Sequence, residues 1–173
     1  YTGIGTGKWA LGFGPGALVT GPVSISDATF ATTDGTCLGA VDVVSSTFTV
    51  KNVVCNAGGY SGVALMGNLD AGGALLVQGG TITAVAGIYV ESVDAAASVE
   101  VFGVSVTATQ ESVRFNGLVA GSVSVGGALT STDAGENAVF FTGAVTGPVS
   151  ITPGTVINAV GSGIRFDGDV SSK

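Results

Sequence analysis

The side chains of this chain that could do chemistry are hydroxyls, two thiols and a few scattered charges. Histidine is absent, which removes the commonest general base and metal ligand and with it most catalytic triads and zinc sites. Arg114, Arg165 and Asp167 recur at similar places in the pattern. Asp42 is too remote to join them in an acidic calcium site with an arginine base. Glu100, Glu111 and Glu136 fall on different faces or corners. No two of them make the carboxylate pair, about 5–9.5 Å apart across a cleft, that glycoside hydrolysis needs. Fragments such as Gly12-Phe-Gly14 and Gly161-Ser-Gly163 lack the strand-then-helix setting of a phosphate loop. The expectation is a protein that is not an enzyme and uses no metal or cofactor. What remains is a set of threonines paired two apart, Thr81/Thr83, Thr107/Thr109 and Thr130/Thr132, with Cys37 and Cys55.

The elements that must position these residues follow from an internal repeat. Val19-Thr-Gly-Pro-Val-Ser-Ile25 returns as Val119-Ala-Gly-Ser-Val-Ser-Val125 and as Val145-Thr-Gly-Pro-Val-Ser-Ile151. An alternating first-strand segment begins at Val23, Phe48, Leu75, Val99, Val123 and Val149, in steps of 24 to 27 residues. A second apolar column reads Phe30, Val54, Ile82, Val106, Leu129, Val156. A third reads Leu11, Val41, Val63, Ile88, Val113, Val139, Ile164, with partners two residues on at Phe13, Val43, Leu65, Val90, Phe115, Phe141, Phe166. A corner column reads Val19, Val44, Leu69, Val93, Val119, Val145, Val170. Each repeat is thus three short period-2 strands separated by Gly, Asp, Asn or Ser corners. No segment carries a 3.6-residue apolar stripe, so almost no helix is expected.

Three strands per repeat predict an all-β parallel β-helix, a β-solenoid with one coil per repeat stacked about 4.8 Å on the last. About six coils form one domain over 1–173, with a partial coil over 1–20 and full coils from about 21 onward. A β-sandwich would not return like residues to one column at a fixed period. The pattern resembles the right-handed parallel β-helix superfold shared by pectate-lyase-like enzymes, adhesins and extracellular repeat proteins. That resemblance implies architecture and leaves function open.

Alternation assigns the outward faces. The first-strand face carries Ser24, Thr49, Leu76, Glu100, Ser124 and Ser150. The third-strand face carries Asp42, Ala64, Tyr89, Arg114, Phe140 and Arg165. The second-strand face carries Thr29, Ala31, Thr33, then Val53, Cys55, Ala57, then Thr81, Thr83, Val85. It continues with Ser105, Thr107, Thr109, then Ala128, Thr130, Thr132, and finally Thr155, Ile157, Ala159. No charge falls on it in six coils. Threonine favours strands anyway, yet a face without charge suits contact with something other than bulk water. The threonine pairs resemble the Thr arrays of β-helical antifreeze proteins, in which hydroxyls and methyls at strand spacing order water. Val53, Cys55 and Ala57 interrupt the match. Inward Asn56 and Asn158, with Thr32 and Ser131, are expected to form part of a polar ladder.

Charge and cysteine content narrow the partners. Five Lys+Arg against twelve Asp+Glu give a net charge of −7, and scattered cations do not make a nucleic-acid surface. Mean hydropathy is +0.61, but Gly, Ser, Thr or Asp interrupts every apolar run, so no transmembrane helix is expected. Two cysteines allow one disulfide. Cys55 is assigned to the threonine face and Cys37 to the corner Thr33-Asp-Gly-Thr-Cys37. The readings open are an intrachain bond made by folding that corner back, an interchain bond locking a polymer in an oxidising space, or two free thiols. The first residue is Tyr1, compatible with removal of a signal peptide or with a fragment. Tyr1-Thr-Gly-Ile-Gly resembles Gly161-Ser-Gly-Ile-Arg, so no polar cap is read at either end.

These readings lead to an extracellular or cell-surface structural protein. It would assemble with itself into a filament, sheath or surface layer through open β-helix ends and the threonine face, like the resistant sheaths of some archaea. The residues assigned to that face are Thr29, Thr33, Thr81, Thr83, Ser105, Thr107, Thr109, Thr130, Thr132 and Thr155. The alternatives are ice binding by the same face, and a carbohydrate-binding or adhesive role with Trp9, Tyr60, Tyr89 and Phe140 as stacking residues.

Overall fold

A computed structural model describes residues 9–171, and every regular element in it is a strand. All strand pairs are parallel and join successive repeats, so the chain winds as a β-solenoid of six coils after a partial one. The readings at Tyr1 to Gly5 and at Ser172–Lys173 lie outside the described residues. One seven-stranded sheet collects the third strand of every coil, starting from Trp9–Phe13 and ending at Ile164–Phe166. The other sheet collects the first and second strands. The register confirms the first-strand column, from Val23 opposite Phe48 to Val123 opposite Val149. Bridges join all seven corner residues from Val19 to Val170.

In coils two to five the first and second strands are one bent strand: Thr47–Ala57, Ala74–Ala84, Ser98–Ala108 and Ser122–Ser131. The bend is made by residues in the left-handed region, one each in coils one, two and four, two in coil three (Gly79 and Gly80), and Gly127 one position later in coil five. Asp27 (φ 52°), Asn52 (51°), Gly79 (63°) and Gly103 (63°) follow one another there. Asn, Asp and Gly are the residues that accept this conformation at least cost. Asn52 Nδ2 also donates to Asp27 Oδ1 at 3.1 Å. In coils one to four the bend adds one residue to the alternation and so switches its parity; coil five is one residue shorter there, and Val123, Val125, Leu129 and Ser131 stay inward without a switch. In coil two Phe48 and Val50 are buried before it, and Val53, Cys55 and Ala57 after it.

That switch corrects the second column. Cys55 pairs with Phe30 and Ile82, and Ile157 with Leu129, so these two residues are the inward ones. Val54 and Val156 point out, 40% and 54% exposed. Asn56 and Asn158 are exposed rather than inward, and the expected polar ladder does not form. Coil one also differs. Its third strand is Thr36–Ala40, which pairs Leu38 with Leu11 and Val63, and Ala40 with Phe13 and Leu65. Val41 and Val43 are displaced to the corner, and Gly39 takes the outward place assigned to Asp42.

The core is continuous along the axis. Phe115, Phe141 and Phe166 stack with centroids 4.6 Å apart and planes within 6° of parallel. Phe13 meets Phe48 edge-on at 6.1 Å. Truncation of Phe141, which is fully buried, removes a large side chain with ring neighbours above and below. Phe141→Ala is expected to lower stability by about 3–5 kcal/mol, read as a reduced urea midpoint. A loss under about 1 kcal/mol would contradict this packing.

Candidate functional site

The second-strand face is built by three registered columns. The first is Thr29, Val54, Thr81, Ser105, Ala128, Val156. The second is Ala31, Asn56, Thr83, Thr107, Thr130, Asn158. Beyond them stand Thr33 in coil one and Val85, Thr109, Thr132 and Val160 in coils three to six. Two positions change places relative to the sequence reading. In coil two Val54 and Asn56 replace the buried Val53, Cys55 and Ala57. In coil six Val156, Asn158 and Val160 replace Thr155, Ile157 and Ala159. Thr155 sits in a tight turn and donates its hydroxyl to the Thr152 carbonyl at 2.5 Å. The corrected face still carries no charged residue. Thr83, Thr107 and Thr130 form an unbroken run over three coils, flanked by Thr81 and Ser105. Thr109 and Thr132 turn their hydroxyls back to Val85 and Ala108 carbonyls at 3.4 and 3.3 Å.

The cysteines lie elsewhere. Cys37 and Cys55 are both fully buried and bonded to each other within the chain, Cα atoms 6.1 Å apart. The bond ties the third strand of coil one to the second strand of coil two. Cys37 occupies a column that continues with Gly62, Gly87, Ser112 and Ala138, placed just before each third-strand apolar residue. A side chain here points across the coil at the second-strand column. A Cβ on Gly62 would come within 2.2 Å of Ile82 and 3.4 Å of the Cys55 sulfur. The column therefore admits small residues, and in coil one it holds a thiol facing Cys55. The interchain lock and the exposed Cys55 of the sequence reading are both replaced by an internal staple.

The third-strand face gathers polar groups that the sequence spread over three coils. Its outward column reads Gly12, Gly39, Ala64, Tyr89, Arg114, Phe140, Arg165. The Trp9 ring lies over Gly12 and Gly39, where added Cβ atoms would meet it at 2.7 and 2.3 Å. Phe140 is held between the guanidinium groups of Arg114 and Arg165, at 5.6 and 5.3 Å. Arg165 in turn makes a two-pronged pair with Asp167 at 2.7 and 3.0 Å. Of the four aromatics proposed for stacking, only Tyr60 and Tyr89 share a groove. Its volume is about 280 Å³, and Met66, Gln110, Glu111 and Arg114 also line it.

Glu111 is 97% buried there, a residue read from the sequence as an ordinary corner acid. Arg114 Nη1 donates to its Oε1 at 3.2 Å. Arg114 Nη2 donates to Asn116 Oδ1 at 3.2 Å, and Asn116 Nδ2 donates to Glu91 Oε1 at 3.1 Å. The Tyr89 hydroxyl donates to Glu91 Oε2. Burial first, and then this hydrogen bond, push the Tyr89 phenol up to about 12, so it stays a donor at neutral pH. Among the described residues no group of three or more His, Cys, Asp or Glu could hold a metal ion. No helix there is long and apolar enough to cross a membrane.

No protein-family model, curated protein or solved structure matches this chain. The candidate surfaces therefore rest on geometry alone.

Two outcomes check this geometry. The protein should run as a monomer on a non-reducing denaturing gel. Reduction should cost about 3 kcal/mol of stability, the value for a loop of roughly this length; disulfide-linked dimers would contradict the internal bond. Arg114→Met leaves the Glu111 carboxylate buried without its cation. The expected loss is about 2 kcal/mol, below that of a fully buried pair because Arg114 is partly exposed. Arg165→Met, at an exposed pair, should unfold at nearly the wild-type urea concentration.

Proposed function

We propose that this chain is a structural β-solenoid of the cell exterior that packs against further copies of itself to build a filament, sheath or surface layer. The observation that carries this reading is the second-strand face, with three columns over six coils and no charged group. Charge is the usual device by which soluble β-proteins keep flat surfaces apart. Here the outward places hold threonines, alanines and exposed valines, among them Val160 at 61%. A flat surface of this kind buries well against another like it.

An internal disulfide fits an oxidising location.

The run Thr83, Thr107, Thr130 favours a second reading, in which the face meets ice. Hydroxyls and methyls repeat there at the coil spacing with no charge between them.

Negative-stain electron microscopy separates the two. The structural reading predicts ordered filaments, tubes or sheets. Thr107→Lys, which sets a charge in the middle of the face, should disperse or thin them while leaving the circular dichroism spectrum unchanged. Dispersed wild-type rods that shape growing ice crystals would overturn self-assembly and establish the second reading.

A further inference from the structure

The groove on the third-strand face has features that packing alone does not require. Glu111 and Arg114 line it, and each has a buried polar atom without a partner: Oε2 of the carboxylate and Nε of the guanidinium. An unpaired buried carboxylate oxygen costs free energy, and native proteins leave few such groups. Both residues are held in place by the Glu111–Arg114–Asn116–Glu91–Tyr89 chain of hydrogen bonds described above. The groove lining thus holds one acceptor and one donor without a partner in the protein.

The walls are of a different kind. Tyr60 is 59% and Met66 53% exposed, and the Tyr89 ring is half-buried between them and Arg114. Gln110 adds an amide that both donates and accepts. The volume lies just below the usual range for small-ligand sites, about 300–1,000 Å³. It suits one ring of a longer molecule better than a whole ligand.

The geometry points to a neutral saccharide as the occupant. Adjacent sugar hydroxyls donate and accept at neighbouring atoms, as the carboxylate–guanidinium pair requires. The C–H face of a sugar ring packs against an aromatic wall such as Tyr60. An acidic sugar is disfavoured, because its carboxylate would meet the Glu111 carboxylate. A basic peptide could use Glu111 but would leave the Arg114 donor facing a like charge. This site is on a different face from the threonine columns, so it stands or falls independently of self-assembly. On a surface layer it would serve as an attachment point for glycan.

The test is a titration of the full chain with neutral gluco-, manno-, galacto- and N-acetylglucosamine oligosaccharides. It is followed by amide chemical shifts or calorimetry, with a galacturonic acid oligomer and an oligolysine peptide as comparisons. Binding of at least one neutral series is expected, with shifts centred on residues 60–66, 85–91 and 110–114. Tyr60→Ala changes only an exposed ring and should weaken binding about tenfold or more. Glu111→Gln keeps the shape but alters the acceptor and should weaken it further. Each variant's circular dichroism spectrum is checked to show that it folds. No neutral sugar binding at millimolar concentration would overturn the proposal. So would binding only of the acidic oligomer or of oligolysine, or sugar affinity unchanged in both variants.

Discussion

The structure depends on parallel stacking in register. Each coil's backbone donors and acceptors are satisfied by the coils above and below, and closed alternation sends every second side chain into a shared interior. A position in one coil thus finds the same position of the next coil about 4.8 Å away. Like must sit on like. The phenylalanine stack, the corner valines and the small-residue column before the third strand are three consequences of that one rule.

The left-handed residue at each bend makes this stacking compatible with a turning chain. It lets first and second strands run on as one hydrogen-bonded strand, and in coils one to four it resets which side chains face inward. Asn52 shows how closely it is specified. Its conformation excludes most side chains, and its amide reaches down to Asp27. The disulfide acts at the same level of organisation. It joins two consecutive coils, the third strand of one to the second strand of the next.

Much of the fold was legible because columns of valine, leucine and phenylalanine recur at nearly constant spacing. The solenoid, the first-strand column, the corner column and the phenylalanine ladder could all be read from it. The errors came where apolar type and spacing disagreed. From the first-strand residue to the second-strand inward residue the step is seven residues at Val23/Phe30, Leu75/Ile82 and Val99/Val106. The same step from Phe48 reaches Cys55, but the more hydrophobic Val54 stood beside it. In coil six the turn at Thr152–Thr155 lengthens the step and carries Ile157, not Val156, inward. In coil one Val41 and Val43 imitate a strand, and only the disulfide column shows that Leu38 and Ala40 fill it. The third-strand groove was less legible. Tyr60 is a corner residue of one coil and Gln110 and Glu111 of another, and corners carry no period-2 signal. Glu111 was read only as one of three acids on different faces or corners, and nothing in its sequence neighbours reports that it is buried beside Arg114.

A ladder of spin-label distances reads the stacked register. One nitroxide is fixed at Thr29 and the second moved in turn to Ser105, Ala128 and Val156, all outward positions of one column. Backbone separations of about 14, 19 and 24 Å are predicted, rising by one coil spacing at each step. Distances that fail to rise in sequence, or broad distributions at every pair, would contradict the solenoid and with it the geometry of both candidate surfaces.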